Sequence, residues 1–172
     1  MIELECYQYL NPYVKDVVQN AKLAGLEVEY YIQPNILLDG YSTVQFILNQ
    51  MIEHGLIGNK SSGDQTRLFL RILDDQRFNV YCGDNIWFVK TFIDGATDIL
   101  GFQRVGILTD QESWKAIVSN WNSEKYHPLW WNKVDNVPNF DNFVSFADWD
   151  EPQLKLYAEQ TMCGVGIEVS VE

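Results

Sequence analysis

The chain has 172 residues, 47% of them hydrophobic and 14% aromatic, enough to bury a core in one domain and too apolar for bulk disorder. Twenty-four acids against 12 bases give a net charge of −12, which disfavours nucleic acid and anionic membrane as partners and makes a basic protein the natural complement. The opening MIELECYQYL lacks the apolar core of a secretory leader, no stretch approaches the about 18 apolar residues of a membrane span, and Cys6, Cys82 and Cys163 form no CxxC. A single cytoplasmic domain over 1–172 with reduced, buried thiols is expected.

Residues 2–9 read as a strand and 12–24 as a helix, with Asn11 as N-cap, Pro12 in the first turn and Gly25 as the stop. Leu26, Val28, Tyr30 and Ile32 then alternate with Glu27, Glu29, Tyr31 and Gln33, the period-two pattern of a strand with one wet face. A strand–helix–strand unit of this length implies a right-handed parallel crossover. Its opening, LNPYVKDVVQNAKLAGLEVEYYI, resembles the start of a glutaredoxin over residues 2–33, and the resemblance implies a βαβ shape. It implies no thiol exchange, because Asn11-Pro12-Tyr13-Val14 stands where that family has Cys-Pro-Tyr-Cys.

A second helix is expected at 42–54, capped by Ser42 and ended by Gly55, followed by the loop GNKSSGD. That loop has a passing likeness to a phosphate loop, but Asn59 separates Gly58 from Lys60 and the loop follows a helix, so nucleotide binding is not expected. Residues 65–75 fit helix or strand. Strands are expected at 78–82 and 86–93, joined by the turn chemistry of CGDN, and another at 102–108. Thr109 and Glu112 have capping-box spacing for a helix to Asn120.

From 122 to 152 the chain carries Pro128, Pro138 and Pro152 among many aromatics and amides, which reads as a long ordered, insertion-like loop. A short helix at 152–161 is expected before a C-terminal strand in which Val165, Ile167, Val169 and Val171 alternate with Gly166, Glu168, Ser170 and Glu172. The fold class is therefore α/β, with α+β as the alternative. It comprises a mixed sheet with an N-terminal βαβ unit, helices on one face, and a long aromatic-rich loop before a C-terminal strand.

Glutamates oppose the apolar faces of three strands, at Glu3 and Glu5, Glu27 and Glu29, and Glu168 and Glu172, implying a sheet face wet with acids. From Val134 onward eight acids stand against Lys155 alone, a local charge of −7. Phe140, Phe143, Phe146 and Trp149 recur every three residues among these acids, a spacing that makes no straight helical stripe. Adjacent Trp130 and Trp131, on what reads as irregular backbone, leave one ring as a candidate exposed anchor. His54 and His127 lack the spacing of a zinc site, and neither metal nor cofactor is expected.

These features suggest a non-catalytic, stoichiometric inhibitor of the immunity or antitoxin type, covering the basic cleft of a partner such as a toxin nuclease. The candidate contact residues are Trp130, Trp131, Asp141, Phe143, Asp148, Trp149, Asp150 and Glu151. Two alternatives come from other classes. One is an assembly subunit that binds copies of itself, such as a virion connector. The other is a small hydrolase using a carboxylate cluster drawn from Asp74-Asp75, Asp94 with Asp98, or Asp148-Asp150-Glu151.

Overall fold

A computed structural model describes residues 2–5, 13–34, 36, 38–73, 77–122, 127–162 and 165–172, with backbone alone at 2–5, 160–162 and 165–169. The expected cap at Asn11 and Pro12, the thiols of Cys6 and Cys163, and Asp74-Asp75 lie outside the described residues.

Strands β1 (Ile2–Glu5), β2 (Tyr30–Gln33), β3 (Leu68–Ile72), β4 (Val105–Thr109), β5 (Leu129–Asn132) and β6 (Leu154–Met162) pair in parallel and in chain order. Strand β7 (Val165–Val171) returns antiparallel beside β6. Helices α1 (Val14–Leu23), α2 (Gly40–Glu53), α3 (Cys82–Leu100) and α4 (Gln111–Val118) fill the first four connections. This is a mixed α/β sheet with helices on one face, as its patterning implied. The sequential parallel order is that of a βα barrel opened on one side, and it differs from the sheet order of a redox fold.

Alternation along each strand sorts the side chains into two layers. On the outer face Tyr30, Ile32, Leu68, Leu70, Ile72, Val105, Ile107 and Leu129 pack against the helices in one buried cluster. On the inner, concave face Tyr31, Phe69, Leu108, Trp130, Leu154 and Leu156 form a second cluster. The neighbours Trp130 and Trp131 are therefore both buried, at 0% and 6% exposure, because they stand on a strand and point to opposite faces. Neither is the exposed anchor that irregular backbone would have required.

The sheet curls far enough for its late and early strands to share a cation. Arg67, just before β3, donates from Nε to Glu29 Oε1 at 2.8 Å and from Nη2 to Glu172 at the end of β7. Two of the glutamates expected to wet a sheet face therefore close the sheet. The side chains of Glu3, Glu5 and Glu168 lie outside the description.

Three expected elements differ. Residues 78–93 are not two strands: α3 begins at Cys82, an exposed thiol, and buries Asn85, Phe88, Val89, Phe92, Ile93, Ala96 and Leu100 at helical spacing. Residues 152–161 are not a helix: Leu154, Leu156 and Ala158 sit on β6. The helix caps are Asp39, accepting from the Ser42 amide, and Asp110, accepting from the Ser113 amide, rather than Ser42 and Thr109.

The aromatic loop is held by rings and by one buried cation. Trp131, Phe143, Phe146, Trp149, Trp114 and Trp121 form a continuous series, each ring within 6.3 Å of the next between centroids. Ala147 and Asp148 both take positive φ, so Phe146 and Trp149 meet across a tight turn, with the Trp149 amide donating to Phe146 O at 2.9 Å. Lys155 on β6 is 0% exposed, and its Nζ donates to Asp135 Oδ2, Val137 O and Asn139 O, each at 2.9 Å, above the Trp131 ring. Replacing it by Met strands these acceptors, so Lys155→Met is expected to cost about 3 kcal/mol in urea unfolding. A variant as stable as the parent would show that the ammonium does not hold the loop.

Candidate functional site at the strand ends

In folds of parallel strands followed by helices, the chain turns that vary freely lie at the strands' C-terminal ends, and ligands bind there. In this chain that rim carries Gln33, the last residue of β2, Arg71 on β3, Asp110 directly after β4, and Asn132, the last residue of β5. Register places Glu5 beside Gln33 on the first strand.

Arg71 is half-buried on the concave face, donating from Nη1 to Gln33 Oε1, with its guanidinium carbon 5.8 Å from the Tyr31 ring centroid. Asp110 is oriented by three donors: the Ser113 amide at 2.8 Å, Ser113 Oγ at 3.0 Å and Asn132 Nδ2 at 3.2 Å. Behind Asp110 a cleft of about 410 Å³ opens, lined by Ser113, Trp131, Asn132, Lys133 and Phe146 among others. Its far wall is the aromatic loop that Lys155 secures. Below the concave rim the floor is apolar. There the Phe69 ring packs so closely on Gly106 that a Cβ at that glycine would stand 2.5 Å from it. Trp130 Nε1 is buried in this floor with no hydrogen-bond acceptor among the described residues.

Asp141, Asp148, Asp150 and Glu151 remain exposed, whereas Trp130, Trp131 and Trp149 are buried and Phe143 is half-buried against Trp131 and Phe146. The structure therefore separates the aromatic members of that set from the acidic ones and makes the rings part of the packing. Trp149 also donates from Nε1 to the carbonyl of buried His127 at 2.9 Å, and His127 Nδ1 lies 2.9 Å from Val105 O, so this histidine serves the fold. Gln33, Arg71 and Asn132 were not singled out by sequence. What marks them is their shared place at strand ends, which emerges only once β3 and β5 are known to be parallel neighbours of β4.

The loop with a passing likeness to a phosphate site is built around its own carboxylate. Asp64 Oδ2 accepts from the Gly58 amide at 2.6 Å, and Oδ1 accepts from the Thr66 amide at 3.0 Å. Burial pushes the Asp64 carboxyl up, but these amides, the Thr66 hydroxyl and nearby Arg104 outweigh it and hold it below its ordinary range. Among the described residues no group of three His, Cys, Asp or Glu is placed to hold a metal.

A family model described as Lys-1, lysozyme-like protein 1, matches residues 4–157. Among curated relatives, the probable GH family 25 lysozyme 5 of Dictyostelium discoideum is 39% identical over 83 residues, covering 46% of this chain and 38% of that protein. Lysozyme 4 of the same organism is 25% identical, covering 92% of this chain and 71% of that protein. Lysozyme-like protein 1 of Caenorhabditis elegans is 26% identical, over 90% of this chain and 52% of its own length. The chain thus spans only part of these relatives.

Among solved structures, a muramidase from Trichobolus zukalii superposes with a TM-score of 0.76 at 15% identity, over 98% of this chain and 78% of that one. A family GH25 lysozyme from Aspergillus fumigatus gives 0.69 at 12% identity, over 90% and 72%. At these identities the structures establish a shared fold.

The family match overturns the expectation of a non-enzymatic, immunity-type inhibitor, and with it the alternative of a virion connector or other structural subunit. Acidity and aromatic content, which suggested those roles, are explained by loop packing and by carboxylates that pair internally or face water. The hydrolase alternative was the nearest of the three.

The loop that walls the cleft carries its own acid sensitivity. Asn142 and then Lys155 hydrogen-bond the Asp135 carboxylate and lower its pKa to about 2 from an ordinary 3.8. A depressed carboxyl stabilises the fold in full above its unfolded value and loses that contribution as pH falls through the folded one. Stability followed by Trp fluorescence is therefore expected to drop between about pH 4 and pH 2 by more in the parent than in Asp135→Asn. Equal slopes in the two proteins would remove Asp135 as the source.

Proposed function

Because the chain belongs to the lysozyme-like protein 1 family, we propose that it is a glycoside hydrolase acting on the glycan of peptidoglycan, with the saccharide lying across the C-terminal rim of the parallel strands. The observation that carries this reading is the family match over residues 4–157, which includes all five strands from β1 to β5 except the first two residues of β1. The names of the relatives, lysozymes and muramidases, supply the substrate class.

Cleaving a glycosidic bond calls for two carboxyl groups, one protonating the leaving oxygen and one acting as nucleophile or as base for water, roughly 5–9.5 Å apart depending on the stereochemistry. Among described side chains at the rim, Asp110 is oriented for such work by Ser113 and Asn132. Other carboxylates that chain order brings to this side of the sheet include Glu5, ending β1, and Asp74 and Asp75, which follow β3. The half-buried Arg71, held by the buried Gln33, offers donors to sugar hydroxyl and acetamido oxygens, and the apolar concave floor keeps water out from beneath it.

Incubating the protein with purified peptidoglycan and counting new reducing ends tests the reading. The parent is expected to release muropeptides. Of Glu5→Gln, Asp74→Asn, Asp75→Asn and Asp110→Asn, the two that remove the working pair are expected to lower the rate by roughly 10²- to 10⁴-fold. A folded parent that generates no reducing ends would refute the hydrolase assignment.

A further inference from the structure

In a chain of net charge −12, the groove between α1 and the end of α2 gathers cations. Lys15, Gln19 and Lys22 recur at helical spacing along one face of α1, and His54, the C-cap of α2, joins them. Together with Val18 and Leu56 they line a space of about 360 Å³. Every residue lining it is described and none is acidic. Asp16 and Glu53, next to Lys15 and His54 in sequence, lie outside the lining.

Cations near a helix C-terminus ordinarily answer to its last carbonyls, which lack amide partners within the helix. In both of these helices backbone amides already do so. At the end of α1 the amides of Ala24, Gly25 and Leu26 donate to the carbonyls of Asn20, Lys22 and Ala21, each at 3.0 Å. At the end of α2 the amides of His54, Gly55 and Leu56 donate to those of Gln50, Ile52 and Met51 at 3.0, 3.0 and 2.9 Å. Both closures turn on a glycine of positive φ, Gly25 at 73° and Gly55 at 68°. The side chains of Lys15, Lys22 and His54 are thereby left to the groove, and none has an ion pair or hydrogen bond among the described residues. The wall is anchored as well, because the buried Tyr30 hydroxyl donates to Leu56 O at 3.1 Å and ties the α2 closure to β2. The cationic donors therefore stand on backbone that is set before a ligand arrives.

We infer that this groove is an anion site for a phosphate-bearing organic ligand, separate from the glycan rim. Helices α1 and α2 end where the chain turns back to enter β2 and β3, so the His54 end of the groove lies at the opposite end of the parallel strands from the rim. Phosphate suits the donors better than carboxylate does. Lysine binds phosphate as a point charge, whereas a carboxylate is matched best by the planar fork of arginine, and no arginine lines the groove. Lys15 and Lys22 start about 10 Å apart along the helix axis, and their flexible four-carbon stems let both ammonium groups converge on one dianion. Gln19 between them adds an amide donor, and Val18 and Leu56 leave apolar surface for the organic part. The net charge does not forbid this. At 0.1 M salt the Debye length is about 10 Å, so remote carboxylates are largely screened while a seated phosphate meets two ammonium groups at contact.

A backbone-amide NMR titration of the whole chain tests the site with four probes: inorganic phosphate, glycerol 3-phosphate, a short poly(glycerol phosphate), and glycerate, whose anion is a carboxylate. At least one phosphate probe is expected to shift the amides of residues 15–22 and 54–56 and to bind roughly ten-fold or more tightly than glycerate. The tightest of the three phosphate probes identifies the source as free phosphate, a monoester or a phosphodiester polymer.

In the double variant Lys15→Gln/Lys22→Gln that affinity is expected to fall roughly ten- to hundred-fold, with Lys22→Gln alone in between. Lys90→Gln, which removes an exposed cation from α3, is expected to keep the parent affinity and so exclude a general effect of net charge. Unchanged amide spectra away from the groove check that the variants are folded. The inference fails if no phosphate probe binds, if the shifts lie outside the groove, if glycerate binds as tightly, or if the double variant keeps the parent affinity. None of the probes carries a glycan, so each of these results leaves the hydrolase reading standing.

Discussion

The ammonium of Lys155 is the point on which the later half of the molecule depends. A charge with no exposed surface is tolerable only when its donors are all used, and here a carboxylate, two main-chain carbonyls and an indole face use them. Because Lys155 points to the outer face of β6, its neighbours Leu154 and Leu156 point inward and complete the concave core with Trp130 and Phe69. One residue's alternation thus fixes both the docking of residues 135–139 and the floor beneath the rim. The ring series from Trp131 to Trp121 then carries that docking across to α4, whose N-cap, Asp110, stands at the rim itself.

Arg67 performs the corresponding task at the opposite edge. By holding Glu29 and Glu172 together it ties the entrance of β2 to the end of β7, so that a sheet of sequential strands curls instead of lying open. Curling gathers the strand ends into a rim that carries Arg71 on Gln33 and Asp110 beside Asn132. The inside of the curl is filled by large apolar side chains, which leaves the polar side chains at the rim. A long glycan suits an open rim better than an enclosed pocket, since chain can extend on both sides of the reacting bond.

Much of the fold was legible in the residues because the signals were local. The Gly-terminated helices and the alternating terminal strand survived, whereas the strand expected at 26–33 with one wet face is only Tyr30–Gln33, buried on both faces, with Glu27 and Glu29 before it. Residues 82–100 misled because Phe, Val, Ile and Trp favour strands. Burial of Phe88, Val89, Phe92, Ile93 and Ala96 shows the helical period beneath that composition. Residues 154–162 misled in the opposite way, since a buried lysine between two leucines breaks the apolar-polar code that normally marks a wet strand face. The rim was invisible for a physical reason. Its members come from four separate strands, each unremarkable in its own segment, and only parallel register brings them together. Arg71 illustrates this: one arginine in LFLRIL carries no message until its neighbours prove to be an amide and an aromatic ring.

A crystal structure of the protein with a bound peptidoglycan fragment tests the central claim most directly. Saccharide density across the C-terminal ends of β2 to β5, within hydrogen-bond reach of Asp110 and Asn132, is the expected result. Density confined elsewhere, for example in the cleft between α1 and α2 lined by Lys15, Lys22 and His54, with the rim left free, would contradict it.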